Sequence, residues 1–351
     1  MIVAHVDLDA FFAAVEELDD PSLRAKPLVV GGDPHGRGVV ATANYVARRF
    51  GIHSAMSCAE ALRRCPRAVF VRPRHDRYRE LSRGVWSAIR EVAPVVEQTG
   101  IDEGYLDLSN EAADFLAARR LAEAIQTAVR GTTHLTCSLG VSSSKVVAKI
   151  ASDRRKPGGI TVVPAGREAA FLAPLDVRKL PGVGPRAEQR LRPAGIETIG
   201  ALATLPEHVL AALLPGKVGL ELRDRARGID GRRVEPVSEP PVSISHEETF
   251  DRDVAERPRL HEELRRMSDS LARRLSDRGL LARTVTTKLR YGDFTTRTRS
   301  TTLPTGTDEA DRIHALACEL LDRALDQRPG ALRLVGVGVS GLGTEAQLAL
   351  V

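Results

Sequence analysis

The chain has 351 residues, 42% hydrophobic and 28% charged. At roughly 100–200 residues per domain this supports two to four domains, and the composition excludes both a disordered chain and a disulfide mini-protein. No run of about 18 apolar residues exists to form a transmembrane helix, and nothing resembling a secretory signal precedes Ile2–Val6, so a cytoplasmic protein is expected. Lysine and arginine total 51 against 46 acids, a net charge of +5, which permits a polyanionic partner without requiring one. Cys58, Cys65, Cys137 and Cys318 form no C-x-x-C pair, so free thiols are expected rather than a zinc site. Only seven basic residues are lysines, and Lys145, Lys149 and Lys156 fall within twelve positions.

In chain order, residues 2–8 read as a buried strand running into Asp7-Leu8-Asp9. A helical pattern through Phe12, Val15 and Glu16 stops near Pro21. A short strand at 28–30 closes on Gly31-Gly32, and residues 38–42 lead into a helix through 44–49. A helix over 74–92 precedes a strand, a tight bend and a second strand within 95–108. An amphipathic helix at 111–130 and a strand at 135–141 follow. Ser142, Ser143 and Ser144 can cap a helix that carries Lys145 and Lys149 and ends before Pro157. From about 165 to 242 the texture is short helices separated by Pro and Gly, and 232–241 (RRVEPVSEPP) reads as an extended linker. Helices at 257–277 and 307–327 then alternate with strands near 283–291, 295–302 and 332–340, an α+β pattern. There is no fixed-period repeat.

Asp7 ends a strand that should be buried, and Asp102 and Glu103 adjoin in a bend between apolar residues. Carboxylates are seldom buried unless paired or metal-bound. Three brought together suit divalent cations, and two Mg²⁺ ions, with Mn²⁺ as an alternative, suit in-line attack at phosphorus. Asp9 and Asp107 read as structural or exposed. Tyr45 and Arg48 lie at i and i+3 on one helix face, and Lys156 stands past a helix end where a loop can bring it to phosphates. Leu180-Pro181-Gly182-Val183-Gly184 resembles a helix–hairpin–helix turn offering backbone N–H groups to a DNA phosphate. Lys288 and Arg290 share one face of a strand, Arg297 and Arg299 one face of the next, a β-surface suited to a phosphate backbone. Residues 242–351 hold 17 basic and 17 acidic side chains, so only one face there can be basic.

Five ordered segments carry a resemblance: VDLDAFFAAVE (6–16), VATANYVARRFGI (40–52), GIDEGYLDLS (100–109), LGVSSSKVVAKIASDRRKPGGI (139–160) and LPGVGPRAEQRL (180–191). Together they resemble Y-family translesion DNA polymerases of the bacterial DNA polymerase IV (DinB) type, over essentially the whole chain. The resemblance implies an α+β multidomain right hand. Its ferredoxin-like palm would span 1–10 and 73–164, its fingers 11–72, a helical thumb 165–231, a linker 232–241 and an α+β little finger 242–351. It implies that Asp7, Asp102 and Glu103, with the Leu8 carbonyl, hold two Mg²⁺. Phe11, Phe12, Thr42, Tyr45, Arg48 and Lys156 would bind the dNTP, with Phe12 as the steric gate against a ribose 2′-OH. Gly182, Gly184, Lys288, Arg290, Arg297 and Arg299 would touch primer–template DNA. The tail through Gln347, Leu348 and Leu350 would meet the replicative sliding clamp, although it lacks the usual terminal aromatic. A monomer without a proofreading exonuclease is implied.

The family usually has Ser and Ala where this chain has Gly100 and Gly104, and two glycines are expected to loosen the bend. Two rivals stand beside the polymerase reading. A palm-like nucleotide cyclase shares the acids but needs no helix–hairpin–helix, and a non-catalytic DNA-binding protein needs no acids.

Overall fold

The computed structural model describes residues 1–214, 216–237 and 240–344. Two compact units emerge, Met1–Pro34 with Gly38–Ser238, and His35–Arg37 with Glu239–Val351. No helix among the described residues is long and apolar enough to cross a membrane, and the four cysteines are free.

The first unit is organised by a five-stranded sheet ordered Val96–Gln98, Glu103–Asp107, Val3–Leu8, Cys137–Ser142, Ile160–Val162. The first three neighbouring pairs are antiparallel and the last is parallel. Side chains alternate along the central strand. Ala4, Val6 and Leu8 join Leu106, Leu139 and Val141 in the main core, under the helices His75–Val92 and Phe115–Thr133. Val3, His5 and Asp7 therefore point to the opposite face. There the helix Lys145–Ser152 lies directly on Gly140, where a Cβ would stand 2.0 Å from the Ala148 carbonyl oxygen; only glycine allows that approach.

A three-stranded sheet, Val40–Ala43, Leu28–Gly31 and Val69–Val71, has a small core of its own around Val29, Ala47, Ile52 and Cys58. The expected helix through 44–49 is a single turn, Tyr45–Arg48, capped by the Asn44 side chain. Short helices between Glu168 and Ala226 gather Leu172, Leu180, Leu191, Ile199 and Leu222 around Val146, Val147 and Ile150 of the Lys145–Ser152 helix.

One expectation around that helix fails, and a second gains a detail. Ser144 occupies the N-cap position, but its hydroxyl donates to the Gly228 carbonyl (3.0 Å). The open Val146 N–H is met instead by Asp230 Oδ2 at 3.1 Å. The segment read as an extended linker from residue 232 is anchored at its start. Val234 is only 6% exposed and packs with Val3, Tyr105 and Ala148. Lys145, 4% exposed, donates to the Arg233 carbonyl and pairs with Glu97 at 2.6 Å, while Glu97 also accepts the Glu235 N–H. Proline clustering announces the extended backbone; buried ion pairing, invisible to composition, holds it down.

The second unit is a four-stranded antiparallel sheet ordered Thr296–Thr307, Leu281–Tyr291, Leu332–Gly343, Ser243–Val254, with helices Arg257–Ser276 and Ala310–Gln327 packed into one core with it. The first strand, Ser243–Val254, is absent from the sequence reading. Of its twelve residues only Ile244, Phe250 and Val254 are buried, so no period-2 apolar pattern reveals it.

Candidate active site

Backbone pairing brings the three acids together. Asp7 lies directly opposite Glu103 in the antiparallel ladder, and the Leu8 N–H donates to the Asp102 carbonyl at 2.9 Å. Cross-strand partners share a face with Cβ atoms about 5 Å apart, so Asp7 and Glu103 emerge side by side on the face not covered by the two long helices. The bend before Glu103 is fixed by its own carbonyl, which accepts the Thr99 and Gly100 N–H groups. The Ile101 carbonyl accepts from Trp86 Nε1 (3.3 Å) and from the Ser82 hydroxyl. Leu8 itself is 2% exposed.

Gly104 has a packing role in this bend. A Cβ on Gly104 would stand 2.7 Å from both the Glu97 carbonyl oxygen and Trp86 Cη2, so Gly104 is a point of contact with the core. On Gly100 a Cβ would meet Glu103 Cγ, Asp102 Oδ1 and the Glu103 backbone nitrogen at 3.3, 3.4 and 3.8 Å, with no such clash.

Two lysines neutralise the acids. Lys156 Nζ bridges Asp7 Oδ1 and Asp153 Oδ1, both at 2.7 Å. Lys149 Nζ lies 2.5 Å from Glu103 Oε2. Behind them His5, 1% exposed, places Nδ1 2.8 Å from Ser152 Oγ and stacks edge-on against Tyr105. Ser152 Oγ donates to the Lys149 carbonyl. It therefore accepts from His5 Nδ1–H, which leaves the Nε2 lone pair facing Lys149 at 3.5 Å. Burial lowers the His5 pKa, in keeping with this neutral tautomer. Lys149, its direct donor, holds the Glu103 carboxyl below the ordinary carboxylate range, and His5 Nε2, 3.6 Å away, carries no proton to add to that. Burial pushes the Asp7 carboxyl up against the pull of Lys156, and burial plus the Glu103 charge pushes Asp102 up.

Among the described residues no three His, Cys, Asp or Glu side chains stand arranged as a finished metal cage. The donor set nonetheless fits a hard divalent cation. It is oxygen-only, two of its carboxylates resist carrying charge unaided, and Lys156 on Asp7 and Lys149 on Glu103 stand where these acids call for positive charge.

Asp9 is structural, as expected: 3% exposed, it accepts from Ser138 Oγ (2.7 Å), the Gly158 N–H (2.8 Å) and Tyr45 OH (3.4 Å). Asp107 caps the turn at Ser109. Arg48 lies over the Tyr45 ring at 4.8 Å and spends Nε on the Ala43 carbonyl, while Thr42 pairs with Val30 in the neighbouring hairpin.

Phe11 and Phe12 diverge. Phe11 is 2% exposed, with its ring in the main core. Phe12 is half-buried and stacks flat on Tyr78, centroids 4.2 Å apart at 14°. The Tyr78 hydroxyl donates to Glu16 at 2.5 Å, and Arg74 forks onto the same carboxylate. Burial and Glu16 raise the Tyr78 pKa. Sequence reading missed this cluster; the one available signal was an acid, Glu16, on the helix face shared with Phe12.

In the turn 180–184, Gly182 has φ +104°, and Gly184 opens the helix Pro185–Leu191 without a side-chain cap. The element before it is a 3₁₀ turn, Val177–Lys179, rather than a full helix. The expected single basic β-surface is corrected. Lys288 and Arg290 lie opposite Thr298 and Thr296 on the open face, whereas Arg297 and Arg299 lie opposite the buried Leu289 and Thr287 and so face the helices. Arg299 bonds Gln327 at 2.6 Å, and Lys288 pairs with Glu247. Gln347, Leu348 and Leu350 lie outside the described residues.

Residues 6–153 match the impB/mucB/samB family, residues 241–350 that family's C-terminal domain, and residues 178–230 a DNA polymerase-iota thumb domain. A DNA polymerase IV of Halorhodospira halophila is 44% identical over 97% of this chain and 95% of its own. One from Methanoculleus marisnigri is 44% identical over 97% and 94%. Among solved structures, a Y-family DNA polymerase chimera of Dbh and Dpo4 superposes with a TM-score of 0.89 at 26% identity, covering 98% of this chain and all of the other. DinB from Sulfolobus solfataricus superposes with 0.66 at 27% identity, covering 97% and 98%.

Proposed function

We propose, from the premise that this chain belongs to the DNA polymerase IV group of the Y-family DNA-directed DNA polymerases, that it extends primers across damaged templates with low fidelity and no proofreading, as a cytoplasmic monomer. The observation that carries the catalytic assignment is the cross-strand pairing of Asp7 with Glu103 beside Asp102. In this reading Asp7, Asp102 and Glu103, with the Leu8 carbonyl, hold two Mg²⁺, with Mn²⁺ an alternative. The cations supply the charge that brings a primer 3′-oxygen and a triphosphate together.

The protein groups do the rest. Lys149 keeps Glu103 ionised. Lys156, held charged by Asp7 and Asp153 against the cost of burial, turns its ammonium toward the triphosphate as an ion-pair partner. Arg48, with Nε fixed on Ala43, turns its terminal nitrogens to phosphate oxygens beside the Tyr45 hydroxyl, next to Thr42. Phe12 presents its ring where a ribose 2′-OH would stand. Phe11 contributes backbone only.

The five-stranded sheet is the palm (1–10, 73–164), the three-stranded sheet lies in the fingers (11–72), the short helices form the thumb (165–231), and 242–351 is the little finger. Gly182 and Gly184 offer the thumb turn to primer–template DNA. Lys288 and Arg290 offer the open face of the little-finger sheet. Gln347, Leu348 and Leu350 meet the sliding clamp. Primer extension with dNTPs tests the assignment: Asp102→Ala and Glu103→Ala abolish incorporation while DNA binding persists, and incorporation at the wild-type rate by either variant overturns it.

A further inference from the structure

Glu16 is a carboxylate that the reaction does not use, yet it is 4% exposed. It sits on the helix Phe11–Asp19 one turn after Phe12, so the two side chains share a face. Its oxygens are fully engaged: Oε1 takes the Tyr78 hydroxyl at 2.5 Å, and Arg74 donates through Nε at 3.1 Å and Nη2 at 2.7 Å to Oε2. Arg74 is held in turn by Asp19 at 2.8 Å, and Asp19 by Arg77. The far end of this chain of contacts is the Tyr78 ring, wholly buried, on which Phe12 lies flat. His75 closes the edge of Phe12, ring centroids 5.9 Å apart at 84°.

Stacking alone does not fix a ring. Offset arrangements of two aromatic planes differ little in energy and allow sliding. A charge-assisted hydrogen bond to a phenol has both direction and length, and is about twice as strong as a neutral one. The hydrogen bond to Glu16 therefore adds a directional constraint on the Tyr78 plane that packing alone does not give. A cutoff that separates hydrogen from hydroxyl on a sugar is sensitive to shifts well under 1 Å, since a 2′-OH adds only one heavy atom.

We propose that Glu16 is a positioning residue for sugar discrimination, its buried carboxylate fixing, through the Tyr78 phenol, the plane against which Phe12 is set. This rests on the reading of Phe12 as the gate. Glu16 touches no substrate and acts only through Tyr78.

The test is the ratio of kcat/KM for a dNTP to that for the matching rNTP, measured by primer extension in the full-length protein. Glu16→Gln keeps shape but turns one acceptor into a donor facing Arg74. Tyr78→Phe keeps the stacked ring and removes the anchor. Both are expected to lower the ratio about 10-fold, about 1.4 kcal/mol at 1.36 kcal/mol per decade, while dNTP kcat/KM changes less than about threefold. A generally loosened protein would lower both nucleotides alike and leave the ratio unmoved. Phe12→Ala is run alongside. If it collapses the ratio while Glu16→Gln and Tyr78→Phe leave it at the wild-type value, the Glu16 inference is overturned and the gate stands. If Phe12→Ala also leaves the ratio intact, the gate reading itself falls. Should Glu16→Gln not fold, Tyr78→Phe alone decides.

Discussion

Gly104 offers a sharp test of how the acids are held in place. Replacing it with Ala adds one Cβ, which meets the Glu97 carbonyl oxygen and Trp86 Cη2 at 2.7 Å and Gln98 Cα at 3.2 Å. Two of these are backbone atoms of the adjoining strand, and the third belongs to a ring 1% exposed whose Nε1 is tied to Ile101. None is a flexible side-chain tip, so the strand Glu103–Asp107 or the indole must move. Overpacking of this kind costs about 2 kcal/mol, or about 4–8 °C in melting temperature for a unit of this size. Trp86 is the chain's one tryptophan, so its fluorescence reports the melting transition and the local displacement in the same measurement. Any outward step of the strand also moves Glu103 away from Asp7, and dNTP incorporation falls with it. Gly100→Ser, whose new Cβ meets nothing closer than 3.3 Å and no backbone atom closer than 3.8 Å, is the control and stays within about 0.5 kcal/mol. If Gly104→Ala melts with the wild type and shows unshifted emission, close approach to Trp86 is not what requires glycine.

Four further outcomes follow from the same geometry. Asp102→Asn removes a charge that burial and Glu103 both disfavour, so in metal-free buffer it raises the melting temperature while incorporation is lost; a lower melting temperature refutes the electrostatic account. Asp9→Ala, by contrast, strips partners from Ser138, Tyr45 and the Gly158 N–H and lowers stability by about 1–3 kcal/mol, read by denaturant melts. His5 is depressed below its ordinary 6.5 and Glu103 from 4.5 to about 2. Both therefore give stability that is complete at neutral pH, is lost below about 6.5 for His5 and is lost between about 4.5 and 2 for Glu103. Asp7 and Asp102, raised instead, partly offset that loss on acidification. With chelator present, melting temperature should fall with pH, and Glu103→Gln should flatten the curve below about 4.5; an unchanged slope counts against the Lys149 contact. Exchanging Lys288 for Ala weakens DNA binding and lowers its salt dependence, whereas Arg299→Ala, facing the helices, leaves that slope alone; equal effects would contradict the assignment of faces.

What the sequence discloses is what is local. The strand at 3–8 and the helix Phe115–Thr133 are visible from their apolar patterning, and Asp7, Asp102 and Glu103 stand out as acids set next to apolar residues. Pairing register is not local. Nothing near Arg297 shows that it opposes Leu289, because that follows from the turn at 292–295 and the hairpin's register. Glu16 and Lys145 look like solvated charges on helices until partners 62 and 48 positions away, Tyr78 and Glu97, are folded against them. The strand Ser243–Val254 is hidden because most of its side chains face water. Gly104 looks like slack in a bend, and only the position of Trp86 shows it to be contact.

The Asp230 cap and the Lys145–Glu97 pair have a consequence for anyone recombining such enzymes. Residues 228–235 follow the short helices in sequence, yet they are built into the catalytic sheet by a buried ammonium, a borrowed helix cap and Val234. A graft cut at the visible change in composition, before Arg232, would exchange Val234 and take from the other parent the backbone that meets Lys145 at 233 and Glu97 at 235. A crossover placed after Glu235 keeps every one of those partners with its own parent, and inherits an intact floor beneath His5 and Glu103.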